Sequence, residues 1–143
     1  MATHLRVRLV TPDRILVDQD ADAVEVPAKT GYIEVLAGHA PLLAEIGAGE
    51  VRLRGGEAGG GSGSAQRYSV ARGFVEVLPD RVTILAESAE KPEEIDTAAA
   101  QEQLQHGEQL WNEARDVAEK YAEANEIIAE ATAKLDSAGA GKH

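Results

Sequence analysis

The chain of 143 residues contains no cysteine, so it can form neither a disulfide framework nor a zinc site built on thiolates. Only five residues are aromatic, and the formal net charge is −11. Phosphates would repel this charge and few rings are available for base stacking, which argues against nucleic acid and against a bare anionic membrane surface. The longest stretch without a charged residue, Val35–Ala44, is too short to span a bilayer. We therefore expect no direct membrane insertion, and the N-terminal segment has no separate apolar run that would indicate a signal peptide.

Patterns of catalytic and metal-binding residues are also missing. The four histidines lie far apart without a pair at ligand spacing, no phosphate-binding glycine motif occurs, and no serine has the surroundings of a nucleophile elbow. We expect no metal and no cofactor, and we interpret the chain as a non-catalytic interaction protein. His39, between Gly38 and Ala40-Pro41, is expected to fix a tight turn by hydrogen bonds or to meet a partner protein.

Residues 5–86 alternate between apolar and polar with a period of two. In "HLRVRLV", Leu5, Val7 and Leu9 alternate with arginines, as in a half-buried strand. Similar short runs recur as far as "RVTILA", separated by turns rich in glycine, proline and aspartate. This pattern predicts an antiparallel β-sandwich over residues 1–90, within an α+β protein. We interpret Gly55–Gln66, rich in glycine and serine, as a hairpin tip rather than an interdomain linker.

From Pro92 onward the composition becomes helical, because residues 93–143 contain twelve alanines and no proline. An antiparallel two-helix hairpin over residues 91–143 is predicted, with the last few residues disordered. The pattern does not define where the chain folds back: Gly107 and Asn112 are the weak points, and neither is a strong helix stop like proline. A permanently closed hairpin and a switch between a hairpin and one long helix are both compatible with the pattern. The hairpin would cover one apolar stripe, with members three or four residues apart or at multiples of that step: Leu104, Trp111, Val117, Tyr121, Ala124, Ile128 and Leu135.

Two segments carry a family likeness that covers nearly the whole chain. "GYIEVLAGHAPLLAEIGAGEVRLR" resembles the core motif of the epsilon subunit of bacterial F-type ATP synthases, the counterpart of the mitochondrial delta subunit. "YSVARGFVEVLPDRVTILAESAE" is similar to the second signature of that family. Ala37 stands where the family usually has proline, and Arg72 where it usually has the first glycine of a pair. From Arg72 we expect that this position needs no positive φ.

The resemblance implies a ten-stranded β-sandwich followed by two helices, at the foot of the central stalk of a proton-translocating ATP synthase. The implied partners are the gamma subunit and the c-ring, with transient contacts to the alpha and beta subunits. The implied location is peripheral, at the cytoplasmic face of the energy-transducing inner membrane. A stiff, proline-fixed corner would suit a part that transmits torque. The residues implied to face the c-ring are Gly31, Tyr32, Ile33 and Glu34 in one turn, and Gly38, His39, Ala40 and Pro41 in the corner.

Members of this family differ in the hairpin. Some bind ATP through a motif at the first helix, of which Ile95, Asp96 and Ala100 are present here; Ala99 replaces the arginine, so we expect no ATP binding. In some bacterial members, basic side chains of an extended hairpin press on acidic surface and block hydrolysis. Residues 93–143 hold four basic and twelve acidic side chains, a net of −8, so we expect a folded, weakly inhibitory hairpin.

Two other hypotheses are compatible with the residues. A small enzyme with an unrecognised acid–base site would turn over a substrate by itself. A free-standing acidic adaptor or chaperone would bind partner proteins through the helical hairpin, without need of the Gly38–Pro41 corner.

Overall fold

The computed structural model of the chain describes residues 4–55 and 66–140, in two compact units, Met1–Glu90 and Lys91–His143. The first unit is built of strands and the second of helices, so the predicted class of a β-sandwich followed by a helical hairpin is confirmed. The proposed hairpin tip within Gly55–Gln66 falls almost entirely outside the described residues, as does the expected disorder of the last few residues.

Eight strands lie in the described part of the first unit, two fewer than the resemblance implied. The first six strands have five to seven residues each, whereas the seventh has 13 and the eighth has 10. The strands are β1 (Leu5–Val10), β2 (Ile15–Ala21), β3 (Ala23–Ala28), β4 (Gly31–Leu36), β5 (Leu42–Ile46), β6 (Gly49–Arg54), β7 (Gln66–Leu78) and β8 (Arg81–Glu90).

The strands form one continuous sheet in the order β2-β1-β8-β7-β5-β3-β4, and β6 pairs with both β3 and β7. Because β5 also pairs with β3 and β7, these four strands close a circuit, and the sheet folds into two layers. The predicted antiparallel pairing holds for every pair except β1 and β8, which run parallel. Parallel neighbours need no tight turn between them, and β1 and β8 stand at opposite ends of the unit's sequence.

The core lies between the two layers. Leu5, Val7 and Leu9 are fully buried while Arg6 and Arg8 face the solvent, so the period of two predicted for this strand is confirmed. Burial of such aliphatic side chains is the main favourable contribution to folding, at roughly 25 cal/mol per Å² of apolar surface. The largest fully buried side chains are Tyr68, Leu5, Leu9, Ile46, Leu53 and Ile84.

Arg72 corrects one expectation, because it adopts a φ of 54° despite its side chain. Along β7, Tyr68 and Val70 are buried before this residue, and Val75 and Val77 after it. The inward-facing positions therefore change from even to odd at Arg72, although the register with β8 is the same on both sides. The left-handed residue lets β7 contribute to the core from both halves, so the position does need a positive φ.

The second unit begins with a short 3-10 helix (Pro92–Glu94), followed by α1 (Thr97–Glu113) and α2 (Ala118–Ala140). The chain folds back at residues 114–117, where Arg115 has a φ of 50°. Of the two weak points, Gly107 lies inside α1 and does not break it, and Asn112 lies in its last turn. A Cβ on Gly107 would come within 2.8 Å of Ile128 Cγ1, so this glycine allows close packing between the helices rather than interrupting one.

Candidate functional site

The Gly38–Pro41 corner is fixed by hydrogen bonds to one other turn, to the end of β4 and within the corner itself. The Gly38 N–H donates to Pro79 O at 2.7 Å, in the turn between β7 and β8, and the His39 N–H donates to Leu36 O at 3.1 Å. His39 Nδ1 lies 2.6 Å from Ala40 O. Because a carbonyl only accepts, Nδ1 is the donor in this contact. The predicted role of His39 in fixing a tight turn agrees with this geometry.

The two groups of residues expected to face the c-ring follow one another along one edge of the sheet. Gly31–Glu34, which were expected to form a turn, are instead the first four residues of β4. Gly31 opens this strand and the corner follows its last residue, a separation of about 17 Å at 3.4 Å per residue. Among the described strands β4 is the terminal one of the sheet, so within residues 4–55 and 66–140 one side of its backbone has no neighbouring strand. The corner is flanked by exposed leucines that were not among the predicted site residues: Leu36, Leu42 and Leu43.

Tyr32 is 52% exposed, yet its side chain is held from two directions. The Glu50 N–H donates to the Tyr32 hydroxyl at 2.9 Å, and the guanidinium carbon of Arg52 lies 5.5 Å from the ring centroid. Gly49 lies against the same hydroxyl, since a Cβ there would come within 2.6 Å of it. The ring therefore has a defined position at the edge of the sheet.

The outer face of strands β4, β3, β6 and β7 is covered by ion pairs. Arg52 lies 3.3 Å from Glu25, and Arg54 contacts both Glu25 and Glu34. Partial burial lowers the pKa of Arg52, but the hydrogen bond and charge of Glu50, together with the charges of Tyr32 and Glu25, give a net rise in this pKa. A face whose charges are matched in this way is well suited to water. Its central row, one residue from each strand in direct register, is Glu34, Glu25, Arg52 and Arg67.

The outer face of the other layer carries an apolar row instead, which we call the apolar ladder: Ile15, Val10, Leu85 and Phe74. Its members come from β2, β1, β8 and β7 and lie opposite one another in the strand register. Ile15, Leu85 and Phe74 are each exposed over half or more of their surface. A groove of about 420 Å³ runs beside them, bounded by the Thr11-Pro12 turn. Exposed apolar residues in one contiguous row are typical of a protein-binding surface.

The apolar ladder was not predicted from the sequence, although a local signal for it exists. A strand with one solvated face should alternate, yet Phe74 stands next to buried Val75, and Leu85 next to buried Ile84. Such adjacent apolar pairs indicate that both faces of the strand are covered. The signal does not show that residues of four separate strands lie in one row.

The predicted stripe of the hairpin is partly buried between α1 and α2. Ala124 is fully buried and Leu104, Tyr121, Ile128 and Leu135 are half-buried, whereas Trp111 is 41% and Val117 44% exposed. The Trp111 and Tyr121 rings still meet edge to face, with centroids 4.6 Å apart. Trp111 lies in the last turn of α1, and Val117 lies just before the first residue of α2. A shallow groove of about 360 Å³ opens between the helices at this end.

The remnant of the ATP-binding motif has a local structural role at each retained position. Asp96 is the N-cap of α1, and its carboxylate accepts the Ala99 N–H at 3.0 Å. Ile95 and Ala100 are buried, at 9% and 2% exposure. These contacts account for the three residues without a nucleotide.

Comparison with known proteins gives consistent similarities. Residues 4–92 match the family model described as ATP synthase, Delta/Epsilon chain, beta-sandwich domain. The chain is 37% identical over 135 residues to an ATP synthase epsilon chain of Halalkalibacterium halodurans, covering 94% of this chain and 97% of the relative. It is 46% identical over 111 residues to an ATP synthase epsilon chain of Koribacter versatilis, covering 76% and 72% respectively.

A solved structure shares the fold over the whole chain. It is a chain of the mitochondrial ATP synthase of Euglena gracilis, from a complex of OSCP, F1 and c-ring, with a TM-score of 0.75. The match covers 100% of this chain and 84% of the other, at 17% sequence identity, which supports the fold alone.

Proposed function

The chain belongs to the delta/epsilon family of ATP synthase subunits, and on that premise we propose that it is a central-stalk rotor subunit of a proton-translocating F-type ATP synthase. It would have no catalytic activity itself and would help to couple c-ring rotation to ATP synthesis in the catalytic head. The observation that carries this proposal is the 37% identity to an epsilon chain over 94% of the sequence, sandwich and hairpin together.

In this proposal the apolar ladder is the surface that the gamma subunit covers. The two outer faces of the sandwich differ in chemistry: one carries matched ion pairs, the other a row of half-exposed aliphatic and aromatic side chains. Burying the second face against a partner removes apolar surface from water, whereas burying the first would desolvate charges. The difference favours the ladder as the seat of a permanent partner.

The edge formed by β4 and the Gly38–Pro41 corner would rest on the polar loops of the c-ring. The corner is tied to the turn between β7 and β8 through Gly38 and Pro79, so a force applied there reaches the core strands directly. Close packing of the core transmits such a load with little deformation. Coupling through this edge would therefore be mechanical.

The hairpin would remain folded for most of the catalytic cycle and restrain hydrolysis only weakly. Its contacts to the alpha and beta subunits would be transient, because residues 93–143 carry a net charge of −8. Close packing at Gly107 and the Trp111–Tyr121 ring contact support the folded form.

The subunit would be peripheral, at the cytoplasmic face of the energy-transducing membrane. Over the two described ranges of the chain, neither helix combines the length and apolar character that crossing a bilayer requires. Attachment would then depend on the other stalk components.

The test uses the purified catalytic head with gamma, titrated with the full chain and with a version ending at Glu90. We expect one copy of either version to bind per complex, because the ladder lies in the sandwich. Failure of residues 1–90 to bind gamma would overturn the rotor proposal.

The same titration followed by ATP hydrolysis tests the hairpin. We expect the full chain and the shortened version to give rates within about two-fold of each other, since like charges oppose docking on an acidic surface. Strong inhibition by the full chain alone would show that residues 91–143 are an inhibitory arm, contrary to the charge argument.

A further inference from the structure

Glu50 is a buried carboxylate on the outward side of β6. Glu50 is only 6% exposed, although it belongs to the charged outer face, and the next residue, Val51, is fully buried in the core. Arg52 Nε donates to Glu50 Oε1 at 3.0 Å, and Arg67 Nε donates to the same oxygen at 3.2 Å. Arg67 Nη2 donates to the second oxygen, Oε2. The carboxylate therefore holds two arginines of neighbouring strands in fixed orientations.

One of these arginines controls the surroundings of Tyr32. Arg52 is hydrogen-bonded to Glu50 at Nε and paired with Glu25 at Nη1, so its guanidinium plane cannot rotate freely above the Tyr32 ring. The Glu50 backbone N–H holds the same side chain at its hydroxyl, to which it donates a hydrogen bond. A half-exposed aromatic side chain is thus immobilised before any partner arrives.

We propose that Glu50 is a positioning residue for the edge that faces the c-ring, acting through Arg52 to hold Tyr32 in its binding orientation. The inference rests on the proposed function, because it concerns the same edge. It assigns a role to a residue outside that edge and not exposed to any partner.

The energetics of the cluster support a positioning role rather than a stabilising one. Removing the Glu50 carboxylate from water is costly, and a buried ion pair often contributes little net stability over apolar residues of similar size. What such a pair does supply is a single geometry. Fixing an aromatic side chain in advance removes the ordering cost that binding would otherwise include.

The same ion pairs extend to a second residue of the edge. Glu25 lies 3.3 Å from both Arg52 Nη1 and Arg54 Nη2, and Arg54 also pairs with Glu34. Because Tyr32 and Glu34 are both on β4, loss of the Glu50 carboxylate would loosen two positions of the same strand.

The first measurement is fluorine NMR of the full chain with 3-fluorotyrosine at its three tyrosines, assigned by Tyr→Phe variants. In Glu50→Gln we expect the Tyr32 resonance to shift and broaden, while that of Tyr121 is unchanged. Val51→Ala is the matched control, because it makes a cavity on the inward side of the same strand. It should lower the melting temperature and leave the Tyr32 resonance in place; equal effects of both variants on Tyr32 would overturn the inference.

The second measurement is the affinity of the same variants for a detergent-solubilised gamma–c-ring stalk. We expect Glu50→Gln to bind about 3- to 10-fold more weakly, the loss that corresponds to ordering one side chain on binding. Arg52→Lys keeps the positive charge but cannot contact Glu50 and Glu25 through separate guanidinium nitrogens, so it should lose a similar amount of affinity.

The two measurements separate the inference from the proposed function. A wild-type chain that does not bind the stalk would overturn the proposed function and leave the fluorine result as a separate test of how Tyr32 is held. A wild-type chain that binds, with Glu50→Gln binding equally well, would overturn the positioning role even if the Tyr32 resonance had shifted. Weaker binding together with a shifted resonance supports it.

Discussion

At Arg72 the backbone has a φ of 54°, a conformation that costs a residue with a Cβ about 1 kcal/mol or more. The residue also makes an ion pair with Glu87, at 2.7 Å between Arg72 Nε and the carboxylate. Exposed pairs of this kind contribute at most about 1 kcal/mol. The conformation is therefore maintained by the two halves of β7. Their buried valines can all point into the core only if the inward-facing positions change from even to odd at this residue.

Comparing Arg72→Gly with Arg72→Ala isolates the cost of the positive φ, because both variants lose the ion pair. We expect the glycine variant to be more stable by about 1 kcal/mol, measured by urea unfolding. Thr83 on the neighbouring strand is the control, and there the order should reverse, with alanine more stable than glycine. A less stable glycine variant at position 72 would show that the φ angle carries no strain.

Among the elements, the hairpin depends on how closely α1 approaches α2. At Gly107 a Cβ would lie 2.8 Å from Ile128 Cγ1, 3.0 Å from Ile127 Cγ2 and 3.2 Å from the Ile128 backbone nitrogen. The side-chain ends can move, but the backbone atom cannot move without shifting α2. Glycine at this position lowers the helix propensity of α1, but its lack of a side chain is what allows α1 and α2 to pack this closely.

Gly107→Val should weaken the hairpin by about 1–3 kcal/mol, the usual cost of overpacking. Thermal unfolding followed at 222 nm reports this loss, and the fluorescence of Trp111, which contacts Tyr121, reports separation of the helices. Gly139→Val is the control, since a Cβ at Gly139 has no neighbouring atom within 4 Å. Equal effects at the two glycines would mean that helix propensity, and not packing, decides the stability of the hairpin.

For the whole molecule, the important asymmetry is between the two outer faces of the sandwich. One is a set of matched charges around Glu25 and Arg52, and the other carries the apolar ladder. A face with Phe74 and Leu85 half-exposed in direct opposition contributes little to folding, because it remains in water when the chain folds alone. Its apolar surface leaves water only when a partner protein covers it, so it contributes to the free energy of binding.

Leu85→Ala and Phe74→Ala should each weaken binding to gamma by about ten-fold or more, the loss expected if these two residues anchor the centre of the interface. Both should change the free energy of unfolding by less than about 1 kcal/mol, because half of each side chain is already solvated. Leu36→Ala is the matched control, since Leu36 is 51% exposed but lies on β4, away from the ladder. Titration calorimetry measures the affinity of each variant for gamma. An equal loss of affinity for Leu36→Ala would show that the apolar ladder is not the gamma-binding surface.

Local spacing was enough to predict the two kinds of secondary structure. The alternation of Leu5, Val7 and Leu9 predicted a half-buried strand, and the alanine-rich segment after Pro92 predicted helices. In both cases the periodicity of one segment already determines which side chains point the same way. The motif around His39 identified the family for the same reason, because its residues are contiguous.

The composition of the surfaces and of the close contacts depends on pairing between segments that are distant in sequence. Ile15 lies beside Val10 through the local pairing of β1 with β2. Val10 lies beside Leu85 only because β1 pairs in parallel with a strand about seventy residues away, and no local pattern specifies that pairing. The buried Glu50 carboxylate, the position of Tyr32 above Gly49 and the close approach at Gly107 likewise depend on pairs of segments. The sequence by itself thus determined the family, the fold class and the charge of this protein, whereas the tertiary structure decided which exposed residues form common surfaces.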